Sequence, residues 1–269
     1  MKQVNVKVHN SGAVCGHIRK LNGGNLAPRI TGNYHPYMDM NNAFRELNLP
    51  LTRLHDAPLE NAGMRLVDIP MIFPLFHADA KDSRNYYFRQ TDDYIQNCLE
   101  LGTKVMYRLG VSIEHSRHRY FVNPPEDYEK WVEICANIIR HYNEGLWNGH
   151  YWNIEYWEIW NEPGNRETDG LPKMWGGTDD EFNNFYCYAA KALKKRFPHL
   201  KFGGPSHGLG NGDPDGPTGI FLKRCSEKGA PVDFYSWHCY SDSITVFRDQ
   251  IAPIRQLVTE CGFPDAELH

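Results

Sequence analysis

The sequence predicts an α/β fold, a (β/α)8 barrel of the TIM type that is incomplete because the chain stops at the start of its seventh strand. Three observations predict it. Short runs of β-branched and aromatic residues alternate with longer amphipathic stretches, with no internal repeat and no linker. Polar residues close several different strands, as in a barrel, where the carboxyl ends of the strands carry the chemistry. The glycine fingerprint of a doubly wound dinucleotide-binding sheet is absent, which argues against the open-sheet alternative.

Along the chain, Val4, Val6 and Val8 alternate with polar residues and predict a short strand. Residues 15–21 predict another, followed by a loop over residues 22–25. Residues 49–54 form the second barrel strand, ending in His55 and Asp56. Residues 57–90 are long and irregular, a length that suits a loop building a binding site. Residues 91–101 read as a helix with Tyr94, Ile95, Cys98 and Leu99 on one face and Gly102 closing it. Residues 104–110 are the third strand, and Asn123-Pro-Pro-Glu126 predicts the start of a helix that Gly145 stops. The fourth strand, from Ile154, runs into Asn161 and Glu162 and stops at Pro163-Gly164. Thr178 and Glu181 predict a capping box for the next helix, which Pro198 ends. Residues 200–204, 232–237 and 266–269 are strands five to seven, with helices over 218–229 and 244–261 between them. The predicted organisation is a strand of an accessory β-sandwich or N-terminal extension over residues 1–12, and the partial catalytic barrel over 13–269.

Composition excludes several classes. Hydrophobic residues make up 41% and charged residues 23% of the 269, as in a globular core-forming chain. The net charge of −4 with no basic run gives no reason to expect nucleic acid as a partner. No apolar run reaches membrane-spanning length, so no membrane partner is expected. The N-terminus lacks a signal-peptide core, and the seven scattered cysteines read as free thiols. Both predict a cytoplasmic protein. The sequence leaves the oligomeric state open.

Four strand ends carry reactive groups: Arg53 and His55, Tyr107 and Arg108, Asn161 and Glu162, His238 and Tyr240. Each alone suits a structural role, since buried arginines neutralise carboxylates and buried rings satisfy backbone groups. Converging on one rim, they suit glycosidic bond cleavage. That reaction needs one carboxylic acid to protonate the leaving oxygen and a second carboxylate to attack or to activate water. Glu162 is the candidate acid, with a pKa that must be raised by burial among Trp160, the sugar and a second carboxylate. Asn161 can donate to a sugar 2-hydroxyl, and His238 and Tyr240 can bind hydroxyls or orient the partner carboxylate. Glu158, two residues before Trp160 and four before Glu162, is placed by regular alternation on their face, deeper in the barrel, to pair with an arginine. His115, His118, His141 and His150 stand without an HExxH or CxxC pattern, so no metal and no cofactor is predicted. No GxSxG elbow is present to support a serine hydrolase.

Four segments together resemble glycoside hydrolase family 39, the β-xylosidases and α-L-iduronidases of clan A. They are Thr52-Arg-Leu-His55, Trp157-Glu-Ile-Trp-Asn-Glu-Pro163, Phe202-Gly-Gly-Pro205 and Pro231-Val-Asp-Phe-Tyr-Ser-Trp-His-Cys-Tyr240. Trp-Asn-Glu-Pro marks the clan, and the segment reaching His238 and Tyr240 is the more family-specific piece. The resemblance implies a retaining hydrolase of O-glycosyl bonds, most similar to the β-xylosidases, with an oligosaccharide or glycoside as substrate. It implies Glu162 as acid/base, His55, Asn161, His238 and Tyr240 around the sugar at the −1 position, and Arg53 holding the nucleophile ionised. The family's nucleophile is a glutamate at the tip of the seventh strand, which this sequence does not reach; Glu267 falls at that strand's start. The expectation is therefore an N-terminal fragment without turnover of its own. The alternatives are a non-catalytic sugar-binding protein with the same cleft, or another clan A glycosidase.

Overall fold

In the computed structural model the described residues are 7, 12, 16, 20, 22–26, 28, 40–55, 65–114, 116–208 and 210–269. They form one sheet of seven parallel strands hydrogen-bonded in chain order. The strands are β1 (Gly24–Asn25), β2 (Leu51–Leu54), β3 (Lys104–Leu109), β4 (Tyr156–Ile159), β5 (Lys201–His207), β6 (Phe234–Trp237) and β7 (Glu267–Leu268). The helices are α1 (Asn41–Leu47), α2 (Ile69–Ile72), α3 (Arg89–Glu100), α4 (Tyr128–Glu144), α5 (Asp179–Arg196), α6 (Pro217–Lys228) and α7 (Ile244–Glu260). The fold is the incomplete α/β barrel that the strand–helix alternation predicts.

Side-chain alternation along each strand sorts the two layers. On β2, β3 and β4, Leu54, Tyr107 and Trp157 pair in register and turn toward the helices. Tyr107 and Trp157 stack at 5.0 Å, and Tyr142 of α4 lies 5.8 Å from Tyr107. The neighbours that alternate with them, Arg53, Arg108 and Glu158, turn inward and are polar. The helix layer is apolar: Trp131, Cys135, Ile138 and Tyr142 of α4 and Phe182, Phe185, Tyr186 and Leu193 of α5 are all buried. Burying side chains of this size stabilises by about 1.5–3 kcal/mol each.

Several boundaries differ from the sequence expectation. The predicted loop at residues 22–25 contains β1, with Gly24 opposite Thr52 and Asn25 opposite Arg53. A Cβ on Gly24 would come within 2.8 Å of Thr52 Oγ1, so only glycine lets β1 lie this close. Asn123-Pro-Pro-Glu126 does not begin α4. Prolines hold their predecessors out of helical geometry, and the cap is Asp127, whose side chain accepts from the Lys130 amide at 2.9 Å. The irregular stretch 57–90 holds α2 and a short 3-10 turn at Ser83–Asn85. The strands expected over residues 4–8 and 15–21, and hence the division at residue 12, lie outside the described residues. The free thiols Cys98, Cys135, Cys187 and Cys225 are buried as expected, while Cys261 is half-buried. Among the described residues no helix is long and apolar enough to cross a membrane.

The capping box stands as predicted. Thr178 Oγ1 accepts from the Glu181 amide at 3.1 Å, and Glu181 Oε2 accepts from the Thr178 amide at 2.7 Å. Thr178→Ala is expected to cost about 1 kcal/mol in urea unfolding, with Thr178→Ser close to neutral. A loss as large in the serine variant would mean that the methyl group, and not the cap, matters.

Candidate active site

The site is set where β4 leaves regular geometry. The sequence reading places Asn161 and Glu162 in the strand, but β4 ends at Ile159 and the next residues bend. Trp160 has φ 71° and Glu162 φ 44°, left-handed conformations uncommon outside glycine. The Trp160 amide still donates to Leu109 O at 2.8 Å. Its indole leaves the alternation, donates to Met174 O at 2.9 Å and meets Trp175 edge-on at 5.2 Å. Gly110, at φ 144°, admits that ring: a Cβ there would sit 3.0 Å from Trp160 Cε3. Glu162 is in turn fixed by its own amide, which donates to Pro205 O and Ser206 O, both at 3.1 Å.

The Glu162 carboxylate is nearly buried and held from two sides. His238 Nδ1 lies 2.5 Å from Oε1, and Asn165 Nδ2 donates to Oε2 at 2.6 Å. An ionised carboxylate only accepts, so the His238 ring is the donor. Beneath it runs a second polar layer. Arg53 Nε donates to Glu158 Oε2 at 2.6 Å, and its Nη2 to Asn161 Oδ1 at 2.7 Å and Ser206 Oγ at 3.1 Å. Ser206 and Ser236 hydroxyls donate to Glu158 Oε1 at 2.6 and 2.8 Å. Glu158 therefore pairs with a barrel arginine, as its position predicts. Asn161 is fully buried with its oxygen on Arg53, and its Nδ2 finds no acceptor among the described residues.

The other expected residues are placed as follows. His55, just past β2, is buried, and its Nδ1 accepts from Arg108 Nε at 3.1 Å. Burial, then the Arg108 and Arg53 charges, push its pKa well down, so the ring is neutral. Arg108 Nη2 donates to Asp68 Oδ1 at 2.5 Å and Ser112 Oγ at 3.2 Å. Tyr240 borders the same interior cleft as Arg53, Glu158 and His238 but is 85% exposed, its ring 6.0 Å from that of His238. It is at the rim and not in the hydrogen-bonded cluster. Tyr107 belongs to the helix layer and donates to Val67 O. Glu267 is at the opposite end of the sheet, on Lys201 Nζ at 2.5 Å and Tyr156 OH at 2.8 Å, both at strand starts. Asp56 and His115 lie outside the described residues. Asn165, Ser206 and Ser236 enter the cluster unforeseen, because only the turn after Glu162 and the ends of β5 and β6 bring them there.

The expected rise in the Glu162 pKa is not what this arrangement gives. Burial raises it, but the His238 hydrogen bond and charge, the Asn165 amide and the Arg53 charge outweigh burial and lower it. The carboxyl is thus ionised at neutral pH in this form. A general acid must regain a proton, which a sugar displacing water and a second carboxylate close by would favour.

A profile of the glycosyl hydrolases family 39 matches residues 40–256, more than half of the chain. A β-xylosidase of Caldicellulosiruptor saccharolyticus is 29% identical over 165 residues, 58% of this chain and 31% of that protein. A β-xylosidase of Geobacillus stearothermophilus is 29% identical over 167 residues, 55% of this chain and 31% of that protein. A glucosidase structure from Croceicoccus marinus is similar at TM-score 0.75 and 28% identity, covering 94% of this chain and 50% of that one. A monomeric β-xylosidase from Caulobacter crescentus shares the fold at TM-score 0.62 and 19% identity, over 85% of this chain and 47% of that one. The chain spans about a third of the length of these curated relatives and about half that of the solved structures.

Proposed function

The chain belongs to glycosyl hydrolase family 39, and from that membership we propose that it carries the acid/base half of a retaining β-xylosidase-like site acting on O-glycosyl bonds. The observation that supports this most is the Glu162 carboxylate, fixed by His238 and Asn165 directly beyond Asn161, whose Nδ2 has no acceptor among the described residues. In this reading Glu162 protonates the leaving oxygen as the glycosidic bond breaks, then takes a proton from the water that releases the sugar. Asn161 Nδ2 donates to the 2-hydroxyl, a contact that strengthens as the ring gains positive charge. His238 orients Glu162, and Tyr240 meets the sugar at the rim. Arg53 holds Asn161 and Glu158 in place.

A neutral sugar suits the site better than a uronate. A uronate carboxylate calls for an uncompensated cation, and of the arginines at the strand ends Arg53 is paired with Glu158 and Arg108 with Asp68. That favours a pentoside or hexoside over an iduronide, as do the names of the curated relatives. The attacking carboxylate is not evident among the described residues. Glu158 is held by Arg53 and two serines, and Glu267 by Lys201 at the far end of the sheet. Among the described residues, then, these two carboxylates are not placed to attack.

A panel of nitrophenyl glycosides tests this, assayed with the 269-residue chain and with the product of the complete open reading frame. The expected result is β-xyloside hydrolysis by the latter, with β-xylose the first anomer seen by NMR. Sugar binding without turnover in both would support a non-catalytic sugar-binding protein. Equal turnover in both, sensitive to Glu162→Ala, would place the attacking carboxylate within these residues. An initial α-anomer would overturn retention.

A further inference from the structure

We propose that Asp92, His141 and His150 form a divalent transition-metal site on the helix layer, suited to Zn2+ and separate from the sugar site. Asp92 is in the first turn of α3, His141 in the last turn of α4, and His150 in the loop that leads to β4. One ligand atom from each lies within 4.8 Å of the others. His141 Nε2 is 3.1 Å from Asp92 Oδ1, and His150 Nε2 is 3.7 Å from Asp92 Oδ2. Zinc bonds to nitrogen and oxygen near 2.0–2.2 Å put two tetrahedral donors about 3.3–3.6 Å apart. The two His–Asp separations bracket that range. Two imidazoles and one carboxylate suit a borderline ion such as zinc better than calcium or magnesium, which prefer oxygen donors.

The rings are held ready. His141 stacks on Phe88 at 3.7 Å and 6°, and His150 on Trp152 at 3.7 Å and 12°. His141 Nδ1 lies 2.9 Å from Leu146 O. A carbonyl only accepts, so Nδ1 carries a hydrogen and Nε2 is the atom turned to the ion, as where a metal-bound histidine donates its other ring hydrogen to a backbone carbonyl. Nε2 faces the Asp92 carboxylate at 3.1 Å, an acceptor-only group that either a proton or a metal cation on Nε2 satisfies. The loop is pinned as well: the His150 amide donates to His141 O at 2.6 Å, and Gly145 donates to His150 O at 3.0 Å. Asp92 and His141 also line a surface cleft of about 1040 Å³, which gives an ion a way in. Coordination would clip α3, α4 and the approach to β4 together. The sequence hides the site because Asp92 and His141 are 49 residues apart and share no recognised spacing.

Chelator-stripped protein titrated with Zn2+ in a calorimeter, and with Co2+ by visible absorption, tests the proposal. The expected result is one equivalent of Zn2+ bound at about micromolar affinity or tighter, with cobalt giving the intense bands of a tetrahedral site. Zn2+ at a hundred times its Kd should raise Tm by about 5–10 °C. His150→Ala, in a half-exposed loop, should keep its circular dichroism spectrum, bind at least about tenfold more weakly and lose the Tm rise. Removing exposed His199 should change nothing. Affinity weaker than about millimolar, or binding unchanged by His150→Ala, would overturn the proposal and leave a proton as the only cation in the cluster.

Discussion

Glu162→Ala is expected to lower kcat/KM on β-xylosides with poor leaving groups by about 10²–10⁴-fold, measured in the product of the complete open reading frame. An alkoxide leaving group cannot depart without the proton that Glu162 supplies. A dinitrophenolate needs little protonation, so its bond-breaking step should slow far less. The leaving-group dependence separates this role from a structural one, because a misfolded site would lose all substrates alike. The geometry gives a second handle. His238 and Asn165 both donate to the Glu162 carboxylate and lower its pKa. Removing either donor, as in Asn165→Ala, should move the alkaline limb of kcat/KM to higher pH, since the proton is then held more tightly in the free enzyme. Normal activity of Glu162→Ala on alkyl xylosides would end the assignment.

Glu158→Ala is expected to destabilise the fold by about 3–5 kcal/mol, read from urea unfolding. Glu158 is fully buried, while the Arg53 side chain is 14% exposed. Deleting the carboxylate leaves the Arg53 charge in the barrel interior without its partner and removes the acceptor that the Ser206 and Ser236 hydroxyls share. The cost comes from that uncompensated charge and not from any large net gain in forming the pair. Arg53 also holds Asn161, so the damage should reach the sugar site. Replacing Arg53 and Glu158 together by methionines should recover part of the stability while leaving activity low. A loss under about 1 kcal/mol in Glu158→Ala would show that water or a rearranged Asn161 compensates the arginine.

Much of this was legible in the sequence for physical reasons. Strands and helices follow from periodicity, so β2 to β7 and α3 to α7 fall close to their predicted positions. Arg53, Glu158, Asn161, Glu162 and His238 converge because each lies at or near the carboxyl end of an inward-facing strand. Local alternation could not reveal the turn at Trp160. Its left-handed backbone depends on a pocket between Gly110 and Trp175, which comes from other parts of the chain. For the same reason the sequence reading put Glu162 in line with Glu158, whereas it stands past the strand on β5 carbonyls. The lowered Glu162 pKa without a sugar was not legible, because burial is visible in a hydrophobic sequence run, while donors such as Asn165 depend on the turn. Tyr240 reads as a site residue from its motif, yet only tertiary packing decides how deeply it sits, and here it is exposed. β1 was overlooked because two residues of Gly-Asn carry no strand signal of their own.

The central claim is that Glu162 is the acid/base of a retaining site. Azide rescue of Glu162→Ala in the complete reading frame product, with dinitrophenyl β-xyloside as substrate, tests it most directly. Azide is small enough to enter the space left by the carboxylate and needs no general base to attack a glycosyl-enzyme. The account predicts a rate that rises with azide concentration and a β-xylosyl azide, of retained configuration, as the product. No rescue together with unchanged hydrolysis of alkyl xylosides, or an α-xylosyl azide, would contradict it.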